Sequence, residues 1–382
     1  MSGWPTRAWL EESAAGIAEH AERELEAMVG ISSPSGDVQG ADEMCALVAA
    51  LLPASAEIER LECSSPGHAR DLLATMRGSG TGRLLLLGHL DTVVAHAGHR
   101  SLEAVGDRLV GSGAVDMKGG IALALGAMRA LAELPSAFAE LVLLAVNDEE
   151  WRTGGFAHGP RFAAFDACLC FEAGETTEGG EDAVVARRKA AGTVRVIAHG
   201  LAAHSGAAPE RGRNALLALA EVARRVAAGN DPAGAERLTA VPTVVRAGEA
   251  FNVVPAAGEL VCDLRADRLE AFEAVLGAVP AAVDGVELEV ELVRRWPGMD
   301  TREPVRGRLL APAQALLGRS LHASERGGAS DASHLAQHVG LTVDGLGPRG
   351  GRAHNPEEFV LRESLRPRAE VALAVAAAAL AG

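Results

Sequence analysis

The sequence predicts an α/β fold in which a mostly parallel sheet is sandwiched by helices and a smaller α+β domain is inserted. Two observations predict this fold. Short apolar runs alternate along the chain with longer segments of helical periodicity, which is typical of parallel strands joined by crossover helices. A segment in the middle of the chain instead alternates apolar with polar residues, which indicates strands with one face in water.

The elements of the larger domain follow in chain order. Residues 5–29 carry apolar side chains at helical spacing, and the Gly- and Ser-rich segment 30–36 ends that pattern and predicts a loop. An alanine-rich stretch at 121–134 predicts a second helix. Buried strands are predicted at four apolar runs, which are residues 84–87, 141–146, 167–171 and 341–343.

The middle segment predicts a second domain. Its strands are predicted at residues 193–198, 243–246, 259–265 and 286–293, with helices at 214–228 and 268–276. We therefore expect residues 1–187 and 303–382 to form one domain, into which residues 188–302 are inserted. A chain of 382 residues is long enough for two domains.

Composition excludes several classes of function. The 36 Lys and Arg residues against 51 Asp and Glu residues give a formal charge of −15, which disfavours binding to nucleic acids and to anionic membranes. The chain has no Tyr, so acid–base chemistry falls to His and carboxylates. Five scattered Cys residues, and an N-terminal segment without the apolar core of a signal peptide, predict reduced thiols in a cytoplasmic protein.

Potential metal ligands follow each of the four predicted buried strands. Ligands of open α/β sheets bind beyond the carboxyl ends of the strands, so this pattern predicts a site at one sheet edge. One more carboxylate, Asp116, lies in a Gly-rich loop before the second helix. The residues after the strands are, in order, His89 and Asp91, then Asp148, Glu149 and Glu150, then Glu172, and finally His354.

A site with two His ligands and three carboxylate ligands suits Zn²⁺ better than Mg²⁺, which prefers oxygen ligands. Five ligands exceed the need of one tetrahedral ion, so a two-ion site with a shared carboxylate is expected, and Asp116 is the natural bridge. Asp91 lies two residues after His89, where it can accept the other imidazole N–H. Glu149 and Glu150 point apart, so that one can bind metal while the other acts as general base. Glu175 is an alternative to Glu172 as a ligand.

The sequence motifs that contain these residues resemble those of the dizinc hydrolases of the carboxypeptidase G, acetylornithine deacetylase and succinyl-diaminopimelate desuccinylase family. They are most similar to those of the carboxypeptidase G branch. The resemblance implies that His89, Asp116 and Glu172 hold one ion, and that Asp116, Glu150 and His354 hold the other. The converse pairing of Glu150 and Glu172 stays open. Glu149 would be the general base, and Asp91 would orient His89. The motifs are His89-Leu90-Asp91-Thr92-Val93, residues 113–120, Asp148-Glu149-Glu150 and His354.

The inserted segment resembles the lid of the same family, which commonly mediates dimerisation. By that resemblance His204 would stabilise the oxyanion, in its own site or in that of a partner subunit. Asn252 and Arg265 would bind a substrate carboxylate, with further contacts from the loop that contains Gly328 and Ser330. A bidentate guanidinium suits that task.

The resemblance implies a zinc-dependent hydrolase that cleaves a peptide or N-acyl amide bond beside a free carboxylate. It would be a carboxypeptidase or an N-acyl-amino-acid deacylase that uses a hydroxide bridging two Zn²⁺ ions, with Co²⁺ or Mn²⁺ as possible substitutes and Glu149 as general base. Its partners would be a small-molecule substrate and a second copy of the chain, bound through residues 188–302. The alternatives are an aminopeptidase or dipeptidase of the same family, and a non-catalytic binding relative.

Overall fold

A computed structural model describes residues 5–381, so the predicted domain ends at residues 1–4 and 382 lie outside the described residues. The helices in the described range are α1 (Arg7–Val29), α2 (Val38–Leu51), α3 (Gly119–Ala132), α4 (Ala215–Ala228), α5 (Phe272–Gly277), α6 (Arg302–Val305), α7 (Ala311–Leu317), α8 (Asp331–Leu335) and α9 (Leu365–Ala381).

The first strands in the described range are β1 (Glu57–Leu61), β2 (Asp71–Arg77), β3 (Gly82–His89), β4 (Glu103–Val105), β5 (Arg108–Val110), β6 (Phe138–Val146), β7 (Ala167–Cys170), β8 (Glu175–Thr176) and β9 (Asp182–Arg188). The later ones are β10 (Ala190–His199), β11 (Thr239–Ala247), β12 (Ala257–Ala266), β13 (Ala282–Val283), β14 (Val286–Trp296), β15 (Met299–Asp300), β16 (His322–Arg326), β17 (Thr342–Val343), β18 (Gly350–Gly351) and β19 (Phe359–Leu361).

The central sheet has the strand order β1-β2-β6-β3-β7-β17. Strands β6, β3, β7 and β17 run parallel to one another, and they are the four strands that the apolar runs predict. Their carboxyl ends therefore meet at one edge of the sheet. The predicted fold class is confirmed. Strands β1 and β2, which extend the sheet in antiparallel pairing, have no counterpart in the sequence prediction.

Helices α1, α3 and α9 pack together against one face of this sheet, and α8 packs against the other. Sequence periodicity predicts α1 and α3 but not α9. Nearly every residue of α9 is buried, and many are alanines, so the helix has no polar face that would produce an amphipathic pattern.

A second sheet is formed by residues 190–296 and has the order β11-β12-β10-β14-β13, antiparallel throughout. Helices α4 and α5 cover one of its faces and close a separate apolar core. The chain enters this sheet after β9 and leaves it before β15, and these two strands pair with each other. The exact domain boundaries at residues 188 and 302 stay a prediction.

Two smaller sheets complete the fold, one of β15, β9, β16 and β8 and one of β18, β19, β5 and β4. All five Cys residues are free thiols, as the sequence predicts. No helix within residues 5–381 has the length and apolar character that a bilayer span requires. The cytoplasmic location stays a prediction.

One close backbone contact ties a helix to the sheet edge. The first turn of α3 lies so near the end of β7 that a Cβ atom on Gly120 would stand 1.8 Å from the carbonyl oxygen of Phe171. Glu172 is the next residue along the chain. The absence of a side chain at position 120 therefore positions one of the predicted ligands.

We expect the Gly120→Ala variant to lower the free energy of unfolding by about 1–3 kcal/mol, the usual cost of overpacking a core. It should also lower metal affinity, because Phe171 and Glu172 must move. Gly16→Ala is the matched control, since a Cβ on Gly16 in α1 would meet nothing within 4 Å. That variant should be neutral or more stable by about 0.5–1 kcal/mol. Urea unfolding measures both, and equal stabilities would contradict this account.

Candidate metal centre

The first candidate ligand group lies at the ends of the adjacent strands β3 and β7. His89 is the last residue of β3, and its Nε2 atom lies 3.1 Å from Asp116 Oδ1 and 3.8 Å from Glu172 Oε1. The three donor atoms all lie within 4.8 Å of one another. His89 is buried and the other two side chains are largely buried, so an ion held here would be shielded from solvent.

The second candidate group shares Asp116 with the first. His354 Nε2 lies 3.1 Å from Asp116 Oδ2 and 3.2 Å from Glu150 Oε2. Each oxygen of the Asp116 carboxylate thus faces a different imidazole, which is the arrangement expected of a bridging ligand. The geometry favours the pairing of His89 with Glu172 over the converse pairing. His354 is the exposed member, with 54% of its side chain accessible.

Asp91 connects His89 to the loop after β6. Its backbone carbonyl oxygen lies 2.9 Å from His89 Nδ1, and its carboxylate oxygen Oδ1 lies 3.4 Å from the same atom. The carboxylate also accepts the backbone N–H groups of Glu149 and Glu150, each at 3.2 Å. The Ser35 hydroxyl donates to it as well. Asp91 is therefore placed both to orient the imidazole and to hold the adjacent glutamates.

Glu149 and Glu150 point to different places, as their adjacency predicts. Glu150 belongs to the second ligand group, whereas the Glu149 carboxylate makes no hydrogen bond within residues 5–381. Burial raises the pKa of Glu149 well above its ordinary value, and the neighbouring charges of Glu172 and Asp331 raise it further. A buried carboxylate with a raised pKa beside a metal centre suits a general base.

The electrostatics of the five candidate ligands indicate missing positive charge. Burial, and then the charge of Asp116, raise the pKa of Glu172 to about 8. Hydrogen bonds to Asp116 and Glu150 raise the pKa of His354 to about 10. Oxygen Oε1 of Glu150 is buried and has no hydrogen-bond partner in the described chain. These residues therefore fit divalent cations, which would replace the protons and bind the orphaned oxygen.

The alternative ligand Glu175 lies elsewhere. Its carboxylate pairs with Arg326, and it belongs to neither ligand group. The geometry thus favours Glu172 over Glu175.

Arg265 and Arg294 lie on the same face of the second sheet. Arg294 was not predicted from the sequence. Asp263 and Arg294 both pair with Thr193 of β10, so their side chains lie in one row, and Arg265 lies two residues along β12 from Asp263. Arg265 is already bonded to Asp263 at 3.1 Å. Arg294 makes no ion pair in the described range and stacks 4.5 Å above the ring of Trp296.

Two glutamates of the candidate metal centre contribute to the electrostatic potential at Arg294. Burial lowers the pKa of Arg294, and the charges of Glu149 and Glu150 act in the opposite direction. This coupling places the guanidinium near the candidate general base. An arginine on an alternating strand has no sequence signal that separates it from an ordinary surface residue.

Four predicted substrate contacts lie outside the ligand cluster. His204 is exposed, and its Nδ1 accepts the N–H groups of Gly206 and Ala207 at 3.2 and 3.1 Å. Asn252 lies beside it, since its carbonyl accepts the N–H of Ser205. The carbonyl of Gly328 accepts a bond from Arg188, and the Ser330 hydroxyl donates to Asp344 at 2.5 Å. Within the described chain, the Ser330 hydroxyl is thus turned towards a buried ion pair.

The buried ion pair of Arg188 with Asp344 could have been expected in part from the sequence. Asp344 directly follows β17, just as Glu172 follows β7, so the rule about strand ends predicts it equally well. Arg188 Nε donates to its Oδ2 at 2.7 Å, and both residues are buried. The charge of Arg188 also lowers the pKa of Glu172, against the larger effect of burial.

Comparison with known proteins identifies the family of this chain. The sequence model described as Peptidase family M20/M25/M40 matches residues 85–378. The chain belongs to this family. Carboxypeptidase G2 from Pseudomonas sp. (strain RS-16) is 28% identical over 359 residues, covering 90% of this chain and 85% of that protein. Succinyl-diaminopimelate desuccinylase from Rhodospirillum rubrum is 29% identical over 381 residues, covering 89% and 94%.

Solved structures share the fold of this family member. Aminopeptidase PepT from Bacillus cereus has a TM-score of 0.75 at 22% identity, covering 96% of this chain and 99% of that one. An M20 family metallo-carboxypeptidase, Sso-CP2 from Sulfolobus solfataricus, has a TM-score of 0.75 at 15% identity, covering 95% and 99%. The predicted family and enzyme class are confirmed: the protein is a metal-dependent hydrolase of amide bonds.

The titration of Glu172 yields a test that isolates one ligand. In the metal-free folded chain its pKa is raised from 4.5 to about 8, so the folded state keeps a proton that the unfolded state loses. Stability therefore falls as pH rises from 4.5 to 8. The Glu172→Gln variant lacks this titration. Relative to wild type, its melting temperature without metal should rise steadily from pH 5 to pH 8.

Saturating Zn²⁺ should reverse that order, because the ion needs the carboxylate that glutamine lacks. Glu175→Gln is the matched control, and its difference from wild type should not depend on metal. Thermal unfolding followed by circular dichroism measures all three proteins. A reversal in Glu175→Gln but not in Glu172→Gln would assign the ligand to position 175 instead.

Proposed function

We propose that this protein is a two-zinc hydrolase that cleaves the amide bond beside a free carboxylate, as a carboxypeptidase or an N-acyl-amino-acid deacylase. One observation carries the proposal: the two oxygens of Asp116 face two separate ligand groups. The buried carboxylate of Glu149, which has no hydrogen bond within residues 5–381, is electrostatically coupled to His89, Glu172 and Glu150 of these groups. The ligands would be His89, Asp116 and Glu172 for one ion and Asp116, Glu150 and His354 for the other.

Each side chain near the centre has a defined task in this proposal. When bound, the ions supply a Lewis acid for the amide carbonyl and lower the pKa of water. Glu149 accepts the proton of the attacking water and then passes it to the leaving amine nitrogen. Asp91 keeps His89 in the orientation that presents Nε2, because it engages Nδ1.

Selection for a carboxylate is supported by the arginines of the second sheet. Arg265 and Arg294 lie on one face, and Asp263 neutralises only the first of them. A guanidinium binds a carboxylate through two parallel hydrogen bonds. Aminopeptidase or dipeptidase activity is the alternative, and a solved aminopeptidase shares the fold. Because Arg294 has no ion-pair partner within residues 5–381, it favours a substrate with a terminal carboxylate.

A homodimer formed through the second sheet is part of this proposal. Strand β11 is at the sheet edge and pairs, in the described chain, with β12 alone. Val244 and Val245 on it, and Leu216 and Leu217 on the adjacent α4, are exposed. Leu216, Val244 and Val245 border an apolar groove of about 410 Å³. An exposed apolar edge strand is normally covered, and the same strand of a second copy would complete it.

The first test concerns Glu149. The Glu149→Gln variant should keep two zinc ions per chain, since Glu149 belongs to neither ligand group, while kcat falls by about 100- to 10,000-fold. Metal analysis and hydrolysis of N-acyl amino acids measure the two effects. Glu175→Gln should behave as wild type in both. Retained turnover in Glu149→Gln would remove it from the role of base.

The same assay tests the substrate class. N-acyl amino acids should be hydrolysed much faster than their C-terminal amides, which lack the carboxylate. Equal rates would contradict carboxylate selection, and faster cleavage of peptides with a free amino end and a blocked carboxyl end would favour the aminopeptidase alternative.

The second test asks whether His204 acts across a dimer. Mixing His204→Ala chains with Glu149→Gln chains should restore about a quarter of wild-type activity, because half of the dimers are mixed and each has one complete site. His199→Ala, another exposed histidine of the second sheet, is the control and should be fully active alone. His204→Ala chains alone should be impaired, and if the mixture recovers nothing beyond them, His204 acts in its own chain.

A further inference from the structure

A buried carboxylate outside both ligand groups connects the two loops that carry Asp116 and His354. Glu358 is 2% exposed. Its Oε1 accepts the backbone N–H groups of Val115 and Asp116, each at 2.8 Å, and its Oε2 accepts that of Gly113 at 3.2 Å. Three N–H donors that converge on one anion form a backbone nest. Here the anion is a side chain from 242 or more residues away.

The nest depends on a local backbone conformation. Gly113 has φ of +72°, and a Cβ at this position would approach Thr92 Cγ2 to 2.6 Å, so only glycine fits the turn. The turn then leads directly into Asp116, whose own N–H is one of the three donors. Glu358 therefore fixes the backbone of the bridging residue and of the segment that precedes it.

The other end of the connection is the turn that presents His354. The N–H of Glu358 donates to the carbonyl of Asn355 at 2.9 Å, and the carbonyl of Glu358 accepts the N–H of Gly111 at 3.0 Å. His354 itself is half exposed, and its imidazole makes its described contacts with Asp116 and Glu150. Glu358 thus ties the turn that presents His354 to the Asp116 loop, next to the backbone pairing of β19 with β5.

The first ligand group has a different support. His89 ends β3 and Glu172 follows β7, and these strands are adjacent and fully buried in the central sheet. Their separation is fixed by backbone pairing that does not involve Glu358. Asp116 belongs to both groups, but it is the only ligand of the first group that Glu358 supports, whereas in the second group Glu358 supports both Asp116 and His354. A change at Glu358 should therefore weaken the second group more than the first.

We propose that Glu358 is a positioning residue that joins the Asp116 loop to the His354 loop and so sets the affinity of the second metal site selectively. This inference rests on the proposed two-ion function. It assigns no contact between Glu358 and substrate or metal. Its effect passes through the backbone of Asp116 and through the turn at residues 354–358.

The Glu358→Gln variant tests this role with little change in size. An amide has one accepting oxygen, so its NH₂ group must face at least one backbone N–H of the nest. We expect the second ion to bind about 10- to 100-fold more weakly, as is usual when a group that orients a ligand is lost, while the affinity of the first ion, which depends on Glu358 only through Asp116, falls much less. Competition with a chelator measures both affinities with Zn²⁺, and the visible absorption of bound Co²⁺ reports the two sites.

Glu357→Gln is the matched control, because Glu357 is the neighbouring carboxylate but is exposed and pairs with Arg352. It should bind both ions as wild type does. In Glu358→Gln, excess metal should restore most of kcat with KM unchanged, which a partly unfolded protein would not do. Hydrogen exchange in the metal-free wild type provides a test without substitution, and the amides of Val115 and Asp116 should exchange slowly.

Three results would overturn the proposal. Glu358→Gln could bind both ions with wild-type affinity, it could lose both ions in parallel, or the amides of Val115 and Asp116 could exchange as fast as those of an open turn. Each of these leaves the two-ion function intact, provided that the wild type holds two ions. A wild type that holds a single ion would instead overturn the two-ion function and, with it, this role of Glu358.

Discussion

The organisation of this protein depends on negative charge gathered at the carboxyl edge of a buried sheet. Asp116, Glu149, Glu150 and Glu172 lie together where little water reaches, and like charges in such surroundings strongly disfavour full ionisation. The imidazoles of His89 and His354 relieve part of this repulsion. Divalent cations relieve it far more completely. Metal binding is thus the condition under which this group of side chains can be charged and close together.

The buried arginines around the centre do not supply that charge, because each is already paired. Arg188 is bonded to Asp344, and Arg152 lies between Asp148 and Asp331. These pairs hold the strand ends and the loop of Glu149 in place while adding little net charge to the site. The cluster therefore keeps its attraction for cations, and its surroundings stay rigid. Arg294 differs, since it stacks on Trp296 and has no carboxylate partner within residues 5–381.

The sequence predicts the parallel strands and the side chains that follow them, because buried parallel strands are apolar throughout and the polarity changes sharply where they end. It also predicts Asp116, since Gly residues mark its loop. It cannot predict β1, an exposed edge strand, or α9, which lacks a polar face. Glu358 is equally hidden, because its partners are backbone N–H groups, which leave no mark in a sequence. The role of Arg294 and the pairing of Glu172 with His89 could be recognised only from distances in the folded chain.

The pairing of β9 with β15 gives the chain two adjacent crossings between the parts of the fold, at residues 188–190 and 296–299. An insertion whose ends lie side by side disturbs its host little. None of the five candidate ligands lies between these crossings. Over evolutionary time, the arginines, loops and edge strand of residues 190–296 can therefore change while all five candidate ligands stay in place.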